Sequence, residues 1–509
     1  MPKIKCALLS AFDKTNIEKS AKKLVQRGIE LWASGGTAKY LTAHNIEVKS
    51  VEELTGFAEL LAGRVKTLHP TVFSGILVTP NPEDIEQLIN SGYPIFDLVF
   101  VDLYPFLANL EKKSFDELIE LIDIGGVALL RAAAKNFQRV VPAFSLEKLD
   151  KIINMMDDNN NVPLEMSKQL ASETFYFTSA YDSTIANWLA ESSESSIDFP
   201  EYFSLGGEKL QNLRYGENPH QSGVIYRTFP SEGIPSAEIL WGKQLSYNNY
   251  LDLDAALFGA IEFDEPSCTI VKHLSPCGIA TGKRPIDAYR KALASDPLSA
   301  FGGIVAFNRP IDKKLAELLH KHFFECILAP DYEESALEVL KRKKNLRILR
   351  IPEILPKSKK SVRGIFGGFL VQNINPPKAM AEKWEVVTSR KPTDYEEMQM
   401  CFAMRAAKVV KSNTVVIAKD SATVGIGGGL PSRVDAAILA VRKAGDRAKN
   451  AVAASDAFLP FPDTLYVLAQ AGVTALIQPG GSRNDKQSIE AANKLGIAMI
   501  FTGMRHFKH

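Results

Sequence analysis

Short apolar segments alternate with amphipathic helical segments over roughly the first 190 residues of the chain. Residues 5–9 are apolar and predict a buried strand, whereas residues 15–27 carry apolar side chains at helical spacing. Residues 29–33 predict a second strand, and the same kind of segment recurs at 96–103 and 139–144. We therefore predict an open parallel α/β sheet, a fold whose ligands bind at the carboxyl ends of the strands.

Composition excludes several classes of protein. The chain has 509 residues and is 46% hydrophobic, which is enough for more than one domain with its own core. Sixty Lys and Arg residues against 59 Asp and Glu residues give a net charge of +1, which argues against binding to nucleic acid or to an anionic membrane. The five scattered cysteines form no CxxC pair, and we find neither a signal peptide nor a membrane-spanning segment. We expect a cytoplasmic protein without disulfide bonds.

A polar, small-residue run at 191–196 divides the chain, and we place a domain boundary near 195–202. Residues 294–301 (ASDPLSAF) and 454–461 (ASDAFLPF) resemble each other. Two related α/β subdomains would explain this echo, and chance similarity of eight residues is the alternative.

Two motifs near the N-terminus are candidates for binding a phosphate. Residues 34–37 (SGGT) follow a predicted strand and precede a predicted helix at 38–44, where free N–H groups and the helix dipole favour an anion. The alternative is an ordinary turn capped by Thr37. Arg64 and Lys66 alternate onto one side of a loop and could clamp a phosphate or polarise a carbonyl, or they could form a solvated basic edge.

Three further residues could transfer protons. Tyr104 ends a predicted strand, Asp123 precedes a predicted helix, and Lys135 lies along that helix, four residues after Arg131. A buried Lys135 whose pKa is tuned by Asp123, beside the Tyr104 hydroxyl, would suit proton transfer. The alternative is that Tyr104 packs in a core and Lys135 is solvated.

In the second half, residues 214–221 (RYGENPHQ) predict a rigid polar loop. Lys272 and His273 follow the apolar residues 269–271, so a cation and a base lie together at a strand end. A Lys-His pair seen alone is often only surface decoration. The basic and aromatic C-terminal residues 505–509 predict a terminus packed into or beside a site.

Two cofactor motifs are rejected. A zinc deaminase needs a PCxxC pair, and here Pro276-Cys277 is followed by Ala280. Residues 425–429 meet the dinucleotide fingerprint only in part, and Pro431 lies where its helix would begin. We predict neither zinc nor NAD.

Taken together, these motifs resemble the bifunctional purine biosynthesis family, which joins a phosphoribosylaminoimidazolecarboxamide (AICAR) formyltransferase to an IMP cyclohydrolase. The matching segments occur in the same order over essentially the whole chain: LSAFDKT, SGGT, RVKTLHP, LYPF, IDIGG, RAAAKN, LRYGENPHQ, KHxxPCG, SDPxSAFGG, KSN, QPGGS and FTGMRHFKH. The resemblance implies a methylglyoxal-synthase-like parallel-sheet domain at 1–196. It also implies a transformylase at 197–509, built from two cytidine-deaminase-like α/β subdomains that divide near 375–395.

The implied transformylase moves a formyl group from the co-substrate 10-formyltetrahydrofolate to the 5-amino group of AICAR. His273 matches the proton acceptor, Lys272 the group that supports the leaving nitrogen or the oxyanion, and Asn413 an orienting residue. The positions that match nucleotide contacts are Arg214, Tyr215, Arg433, Phe458 and Arg505, and those that match the folate region are Phe301, Gly302 and Asp463.

The implied cyclohydrolase closes formyl-AICAR to IMP without a metal or cofactor. Its catalytic matches are Lys66, Tyr104, Asp123 and Lys135, and its nucleotide and phosphate contacts are Ser10, Lys14, Ser34, Gly36, Thr37, Arg64 and Thr67. The resemblance also implies a homodimer with transformylase sites across the interface. Its partners would be the small molecules AICAR, formyl-AICAR, IMP and folate.

The chain departs from the family pattern at a few positions. The family usually has Asn where this chain has Asp102, and the other departures are Phe73 for His, Met404 for Trp, Val409 for His and Leu430-Pro431 for Gln-Met. Two alternatives stay open: a nucleotide-sensing N-terminal module attached to a transformylase, and a methylglyoxal synthase with an unrelated partner domain.

Overall fold

The structure, a computed structural model, describes residues 1–56, 65, 67–192, 199–355 and 359–509. The chain forms two compact units: unit 1 comprises residues 1–208 with 228–230, and unit 2 comprises residues 209–227 with 231–509. The predicted boundary between residues 196 and 197 lies outside the described residues. The domain limits 1–196 and 197–509 therefore stay a prediction.

Unit 1 alternates strands and helices as its sequence predicts. Its strands are β1 (Cys6–Ala11), β2 (Glu30–Ala33), β3 (Lys49–Ser50), β4 (Leu98–Asp102) and β5 (Val141–Ala143). Its helices are α1 (Ile17–Gln26), α2 (Gly35–Ala43), α3 (Val51–Thr55), α4 (Pro70–Leu77), α5 (Pro82–Asn90), α6 (Phe106–Asn109), α7 (Phe115–Ile119), α8 (Gly125–Lys135), α9 (Leu146–Met155) and α10 (Leu164–Glu191).

The strands of unit 1 form one sheet in the order β3-β2-β1-β4-β5, with every pair parallel. The register pairs Leu8 with Trp32 on one side of β1 and with Val99 on the other. This confirms the predicted parallel α/β sheet. Because β1 has a neighbour on both sides, its carboxyl end lies in the middle of the sheet edge where ligands of such folds bind.

Both faces of this sheet are buried, which explains why its strands read as continuous apolar runs. Leu98 and Phe100 of β4 pack in one core cluster, with residues from α1, α2 and α9. Val99 and Val101 pack in the opposite cluster, with residues from α4 and α8. Helices on both faces thus hold the sheet rigid beneath the strand ends.

Unit 2 begins with β6 (Glu208–Asn212), β7 (Val224–Arg227) and β8 (Glu238–Trp241). Its first half then contains α11 (Tyr247–Ile261), β9 (Ser267–Lys272), β10 (Ser275–Thr281), α12 (Pro285–Ser295), α13 (Pro297–Ala300), β11 (Gly303–Phe307), α14 (Lys313–Lys321), β12 (Phe324–Ala329), α15 (Glu334–Leu340) and β13 (Arg347–Arg350). A connecting segment follows with β14 (Lys360–Ile365), β15 (Gly368–Asn373) and β16 (Glu385–Val386).

The second half of unit 2 repeats the order of the first. It contains α16 (Asp394–Lys408), β17 (Val415–Lys419), β18 (Ala422–Gly427), α17 (Arg433–Ala444), β19 (Val452–Ser455), α18 (Asp463–Gln470), β20 (Ala475–Gln478), α19 (Asp485–Leu495) and β21 (Ala498–Phe501). Apart from the short α13, each element of one half has a counterpart in the other.

The two halves share one mixed sheet in the order β16-β21-β20-β19-β17-β18-β10-β9-β11-β12-β13-β8. Within each half the order is the same, and β10 meets β18 antiparallel at Ala280 and Ala422 in the centre. The predicted pair of related α/β subdomains is therefore present as an internal duplication.

The two similar segments that suggested this duplication nevertheless do not correspond to each other in the structure. Residues 294–301 span the end of α12 and all of α13, before β11, whereas residues 454–461 lie at the end of β19 and in the loop that follows. Since β11 and β19 are counterparts, the two segments occupy different places in their halves. Their similarity is due to chance.

Glycines in the two central strands allow a helix to pack directly on the sheet. A Cβ at Gly278 of β10 would overlap the Ala292 carbonyl oxygen of α12, and one at Gly425 of β18 would overlap the Ala440 carbonyl oxygen of α17. Gly427 lies equally close to the Ala436 carbonyl oxygen, so two of the glycines at 425–429 serve close packing of α17 on the sheet.

Candidate functional sites

A cleft of about 500 Å³ opens in unit 1 at the carboxyl ends of the central strands. It is lined by eight of the predicted cyclohydrolase residues: Ser10, Lys14, Ser34, Gly36, Thr37, Thr67, Tyr104 and Asp123. Phe12, Asp102, Glu120, Gly125 and Gly126 line it as well. Residues far apart in sequence meet here because β1, β2 and β4 all end at this edge.

One wall of the cleft is the N-terminus of α2, which begins three residues earlier than predicted. Ser34 is the N-cap residue, and its hydroxyl lies 3.0 Å from that of Ser10. The Gly35 N–H donates to the Glu52 carboxylate at 3.0 Å. The helix terminus that we expected to bind a phosphate therefore already holds an anionic group, as its dipole favours.

Thr37 does not cap this helix. Its buried hydroxyl accepts a hydrogen bond from the Ala11 N–H at 2.9 Å and donates to the Ala11 carbonyl at 3.2 Å. Lys14 passes over Gly36, where an added Cβ would lie 3.6 Å from the lysine Cε. Thr37 thus fixes the end of β1 against α2, and Lys14 brings a positive charge to the same wall.

The opposite wall centres on Asp123. Its carboxylate accepts the Gly126 N–H at 2.6 Å and the Tyr104 N–H at 3.4 Å. Its own N–H donates to the Tyr181 hydroxyl at 2.8 Å, and that hydroxyl donates to the Leu121 carbonyl at 3.2 Å. Tyr181 is 2% exposed, and burial raises its pKa to about 12. A neutral, buried hydroxyl therefore supports the turn that presents Asp123 to the cleft.

Asp102, where the family usually has Asn, lies at the end of β4 and lines the same cleft. Its carboxylate accepts the Asp13 N–H at 2.8 Å, an acceptor role that an Asn side-chain oxygen could also fill. Burial raises the pKa of the Asp102 carboxyl, and the charges of Asp13 and Asp123 act in the same direction. The departure therefore adds a titratable group to the cleft.

The expectation of a buried Lys135 beside Asp123 and Tyr104 is wrong. Lys135 is the last residue of α8 and is exposed, whereas Gly125 at the other end of the helix lines the cleft. Eleven helical residues separate the two ends by about 15 Å. Lys135 instead borders a surface groove with Arg131 and Phe73, so the Phe73 departure also lies away from the lining of the cleft. Arg64 and Lys66 lie outside the described residues.

In unit 2, Lys272 ends β9 and His273 begins the turn to β10. His273 and Leu274 both adopt left-handed backbone conformations, with φ of 53° and 60°. The Asp252 carboxylate of α11 accepts the His273 N–H at 3.0 Å and the Leu274 N–H at 2.6 Å. The predicted Lys-His pair is thus at a strand end, with His273 exposed on a tight hairpin.

Phe301 and Gly302 lie beside this hairpin, as expected for one site. The Lys272 ammonium donates to the Phe301 carbonyl at 2.8 Å. Gly302 has φ of 74°, and a Cβ there would lie 3.4 Å from the Phe323 ring and 4.0 Å from the Lys272 Nζ. A glycine therefore leaves room for the lysine and an aromatic ring to approach the chain.

A second group of predicted residues surrounds Phe507 near the C-terminus. The Arg433 and Arg505 guanidinium carbons lie 5.8 and 4.6 Å from the centre of its ring. Arg433, the first residue of α17, donates to the buried Asp456 carboxylate at 3.1 Å. Burial lowers the pKa of Arg433, and the Asp456 charge opposes this shift. Two guanidinium groups beside the Phe507 ring suit the recognition of a ligand that carries an anionic group on a planar ring of its own.

Asn413 lies in this region but is held by its neighbours. Its side-chain amide donates to the carbonyls of Leu430 and Pro431 at 3.1 and 2.9 Å. The departure at 430–431 thus contacts Asn413 through backbone atoms. The other two departures, Met404 and Val409, are buried in a core cluster.

The remaining predicted residues are dispersed along unit 2. Arg214 and Tyr215 lie in the loop between β6 and β7, with the guanidinium carbon 5.6 Å from the ring centre. Phe458 is 37% exposed after β19, and Asp463 begins α18. The predicted loop at 214–221 is confirmed.

The prediction that the C-terminus is packed is also confirmed. His506 is 2% exposed, and its backbone N–H donates to the Asp456 backbone carbonyl at 2.9 Å. The Lys508 carbonyl accepts the Ser412 N–H at 2.8 Å. These bonds connect the tail to the segment that carries Asn413.

Among the described residues, no cluster of three or more His, Cys, Asp or Glu side chains could hold a metal ion. Burial raises the pKa of the Cys277 thiol to about 12, so this thiol is protonated at neutral pH. Within the same part of the chain, no helix is long and apolar enough to cross a membrane.

Sequence reasoning missed two supporting residues, Tyr181 and Asp252. Both lie on long helices, where their residue types give no signal of a site. A third supporting residue, Asp456, lies in the ASDAF segment, two residues before the predicted Phe458.

The chain is similar to known proteins over nearly its whole length. A family model described as "AICARFT/IMPCHase bienzyme" matches residues 133–443, and one described as "MGS-like domain" matches residues 16–128. The chain is 47% identical to "Bifunctional purine biosynthesis protein PurH" of Clostridium perfringens, over 99% of this chain and 100% of that protein. Proteins of the same name from Desulfitobacterium hafniense and Acetivibrio thermocellus are each 45% identical over 99% of this chain and cover 99% and 100% of their own lengths. The chain therefore belongs to the AICARFT/IMPCHase bienzyme family, the bifunctional AICAR formyltransferases and IMP cyclohydrolases that catalyse the last two steps of purine biosynthesis.

Proposed function

We propose that the two reactions of this bienzyme are divided between its two units, ring closure in the cleft of unit 1 and formyl transfer at the Lys272-His273 hairpin of unit 2. The observation that carries the division is that eight predicted cyclohydrolase residues line one cleft, in a unit that contains none of the predicted transformylase residues. In sequence terms this corresponds to domains 1–196 and 197–509, with the transformylase dividing near 375–395.

For ring closure, the carboxamide nitrogen of formyl-AICAR attacks the formyl carbon and the formyl oxygen leaves as water. The step requires a proton to leave the nitrogen and protons to reach the oxygen. Asp123 and Tyr104, which line the cleft, carry these protons. The family resemblance implies that Lys66 takes part as well. The hydroxyls of Ser10, Ser34 and Thr67, with Lys14, Gly36, Thr37 and Arg64, hold the nucleotide and its phosphate.

For formyl transfer, the AICAR amine attacks the formyl carbon of 10-formyltetrahydrofolate. A tetrahedral oxyanion forms, and the bond from the formyl carbon to the folate nitrogen then breaks. His273 accepts the proton of the attacking amine, and the folate nitrogen takes up one proton as it leaves. Lys272 stabilises the oxyanion or the leaving nitrogen. This assignment is supported by the exposed His273 beside a lysine that is held by the Phe301 carbonyl.

The substrates would be held by residues around these groups. Arg433 and Arg505 bind the nucleotide, with Phe458, Arg214 and Tyr215, and Asn413 orients the reacting groups. Phe301, Gly302 and Asp463 contact the folate. We also propose a homodimer with transformylase sites across the interface, as the family resemblance implies.

The first experiment incubates the purified chain with AICAR and 10-formyltetrahydrofolate and follows AICAR, formyl-AICAR and IMP by mass spectrometry. We expect IMP to form from wild type and formyl-AICAR to accumulate with Lys66→Ala. If Lys66→Ala closed the ring at the wild-type rate, a sensor role for unit 1 would be favoured. Release of methylglyoxal from dihydroxyacetone phosphate would instead support a synthase.

Two variants test the unit 1 site. Tyr181→Phe removes the hydroxyl that supports Asp123 and should slow ring closure about tenfold, without changing formyl transfer. Tyr176→Phe, on the same helix and 76% exposed, is the matched control. Lys135→Ala tests the catalytic role that the resemblance implies for a residue outside the cleft lining. Unchanged ring closure in this variant would exclude that role.

A further inference from the structure

The turn that carries His273 depends on one side chain from a neighbouring helix. Both turn residues have positive φ, although neither is a glycine, and this conformation is unfavourable for a side chain as large as leucine. Both N–H groups of the turn point to the two oxygens of the Asp252 carboxylate, at 3.0 and 2.6 Å. Hydrogen bonds to a charged acceptor are strong enough to stabilise such a turn.

The same arrangement holds the hairpin in space. Leu274 packs against the core cluster that includes residues of α11, while His273 is exposed. The Asp252 carboxylate thus holds the backbone conformation in which Leu274 is packed and His273 is exposed. Rotation of either peptide group would break one of its two hydrogen bonds.

The internal duplication supplies an independent comparison. In the second half, the β17 to β18 turn consists of Asp420 and Ser421, with φ of 55° and 56°. Its N–H groups donate to the Tyr395 hydroxyl at 3.3 Å and to the Gln399 side-chain oxygen at 2.6 Å. Gln399 is the sixth residue of α16, as Asp252 is of α11. Both halves therefore use the sixth helix residue to hold this turn. In the first half Asp252 binds both N–H groups with its carboxylate, whereas in the second half Gln399 binds one and Tyr395 the other.

We propose that Asp252 is a positioning residue for formyl transfer, whose carboxylate holds the left-handed turn so that Lys272 and His273 face the substrates together. This inference rests on the proposed roles of Lys272 and His273. Asp252 itself contacts the backbone of the turn and exchanges no proton with the substrate.

The test measures kcat and KM for formyl transfer in Asp252→Ala, Asp252→Asn and His273→Ala of the full chain. Displacing a catalytic group by about 1 Å can cost a hundredfold in rate, so we expect Asp252→Ala to lower kcat roughly 10- to 100-fold. Asp252→Asn keeps one acceptor oxygen and should recover part of this loss. AICAR binding, measured by titration calorimetry, should keep its stoichiometry and affinity in both Asp252 variants.

Gln399→Ala is the matched control, because it removes the equivalent hydrogen bond from the turn that carries no histidine. It should transfer formyl groups at the wild-type rate. Ring closure of supplied formyl-AICAR in the same samples reports on unit 1 and should be unchanged throughout.

The outcomes separate the inference from the proposed function. If His273→Ala kept its formyl transfer, the proposed catalytic role of the hairpin would fail. If His273→Ala were inactive and Asp252→Ala matched wild type, the positioning role would be refuted. Equal losses in Asp252→Ala and Gln399→Ala, or a reduced number of AICAR sites, would show a general structural effect and would also overturn it.

Discussion

The two halves of unit 2 share a framework and differ at the residues that could do chemistry. Lys272 at the end of β9 donates to the Phe301 carbonyl at 2.8 Å, and Lys419 at the end of β17 donates to the Lys449 carbonyl at 2.9 Å. Phe301 lies just before β11, and Lys449 lies just before its counterpart β19. The lysine and its backbone partner are thus features of the framework itself.

The difference lies one residue later. His273 begins the first turn, and Asp420 begins the second, where its carboxylate accepts the Tyr395 hydroxyl at 2.8 Å. An imidazole exchanges protons near neutral pH, whereas a carboxylate bonded to a hydroxyl is an acceptor only. A duplicated hairpin therefore provides the geometry twice, and the side chain at the turn decides which copy can act as a base.

The largest effect should come from the turn residues themselves. His273→Ala removes the proposed base, so formyl transfer should fall by about 10²- to 10⁴-fold, while supplied formyl-AICAR is still closed to IMP. Asp420→Ala should transfer formyl groups at the wild-type rate. The rates are read by mass spectrometry. Similar losses in both variants would contradict the functional difference between the halves.

A smaller effect is expected at the two lysines. Lys272→Met should lower kcat for formyl transfer by roughly a hundredfold, because one group that stabilises developing charge is lost. Lys419→Met removes the counterpart and should leave kcat unchanged. Steady-state kinetics with both substrates checks this. A rate for Lys272→Met equal to that of Lys419→Met would assign the lysine to the framework alone.

The framework should respond alike in both halves. An added Cβ at Gly278 or Gly425 would overlap a helix carbonyl, so each Gly→Ala variant should lower the free energy of unfolding by about 1–3 kcal/mol. Gly364→Ala is the control, because nothing lies within 4 Å of its added Cβ. Urea unfolding monitors the change. A neutral Gly278→Ala would show that the strand and helix can separate without cost.

The last expected effect concerns one capping residue of the second half and depends on pH. Both α11 and α16 begin with a capping box, which uses Asn249 in the first half and Glu396 in the second. Burial opposes ionisation of Glu396, but hydrogen bonds from Arg390, Thr474 and Thr393 hold its pKa at about 2.

Because this folded-state pKa lies below the ordinary value of 4.5, the ionised Glu396 stabilises the fold above pH 4.5, and this contribution is lost as the pH falls toward 2. Glu396→Gln should therefore be less stable than wild type at neutral pH, by on the order of 2 kcal/mol, and the difference should vanish in acid. Glu397→Gln, exposed in the same turn, is the control. A difference that did not depend on pH would contradict the role of the charge.

Much of the fold could be predicted because its signals are local. The strands of unit 1 follow from continuous apolar runs and helix α1 from an apolar pattern of period 3.6, and both patterns report directly on burial. The position of Lys135 could not be predicted in this way. Helical spacing showed that it shares a face with Arg131, but the side of the sheet edge at which α8 ends depends on how the helix packs.

The residues that support the two sites could not be predicted from the sequence for the same reason. Asp252 lies 21 residues from His273, and Tyr181 lies 58 residues from Asp123. A hydrogen bond over such a separation requires two elements to be packed in one register, and nothing in the local pattern of either element reports it.

The sequence by itself determined the family, the alternation of strands and helices, and the residue types available for each reaction. The tertiary structure decided which of those residues meet: eight around the cleft of unit 1, Lys272 and His273 on a turn held by Asp252, and Lys135 away from the cleft. Local propensity and burial patterns act over a few residues, whereas a site is assembled by packing between distant elements. The residue types that can do the chemistry can therefore be read from the sequence, whereas their relative positions follow only from the tertiary structure.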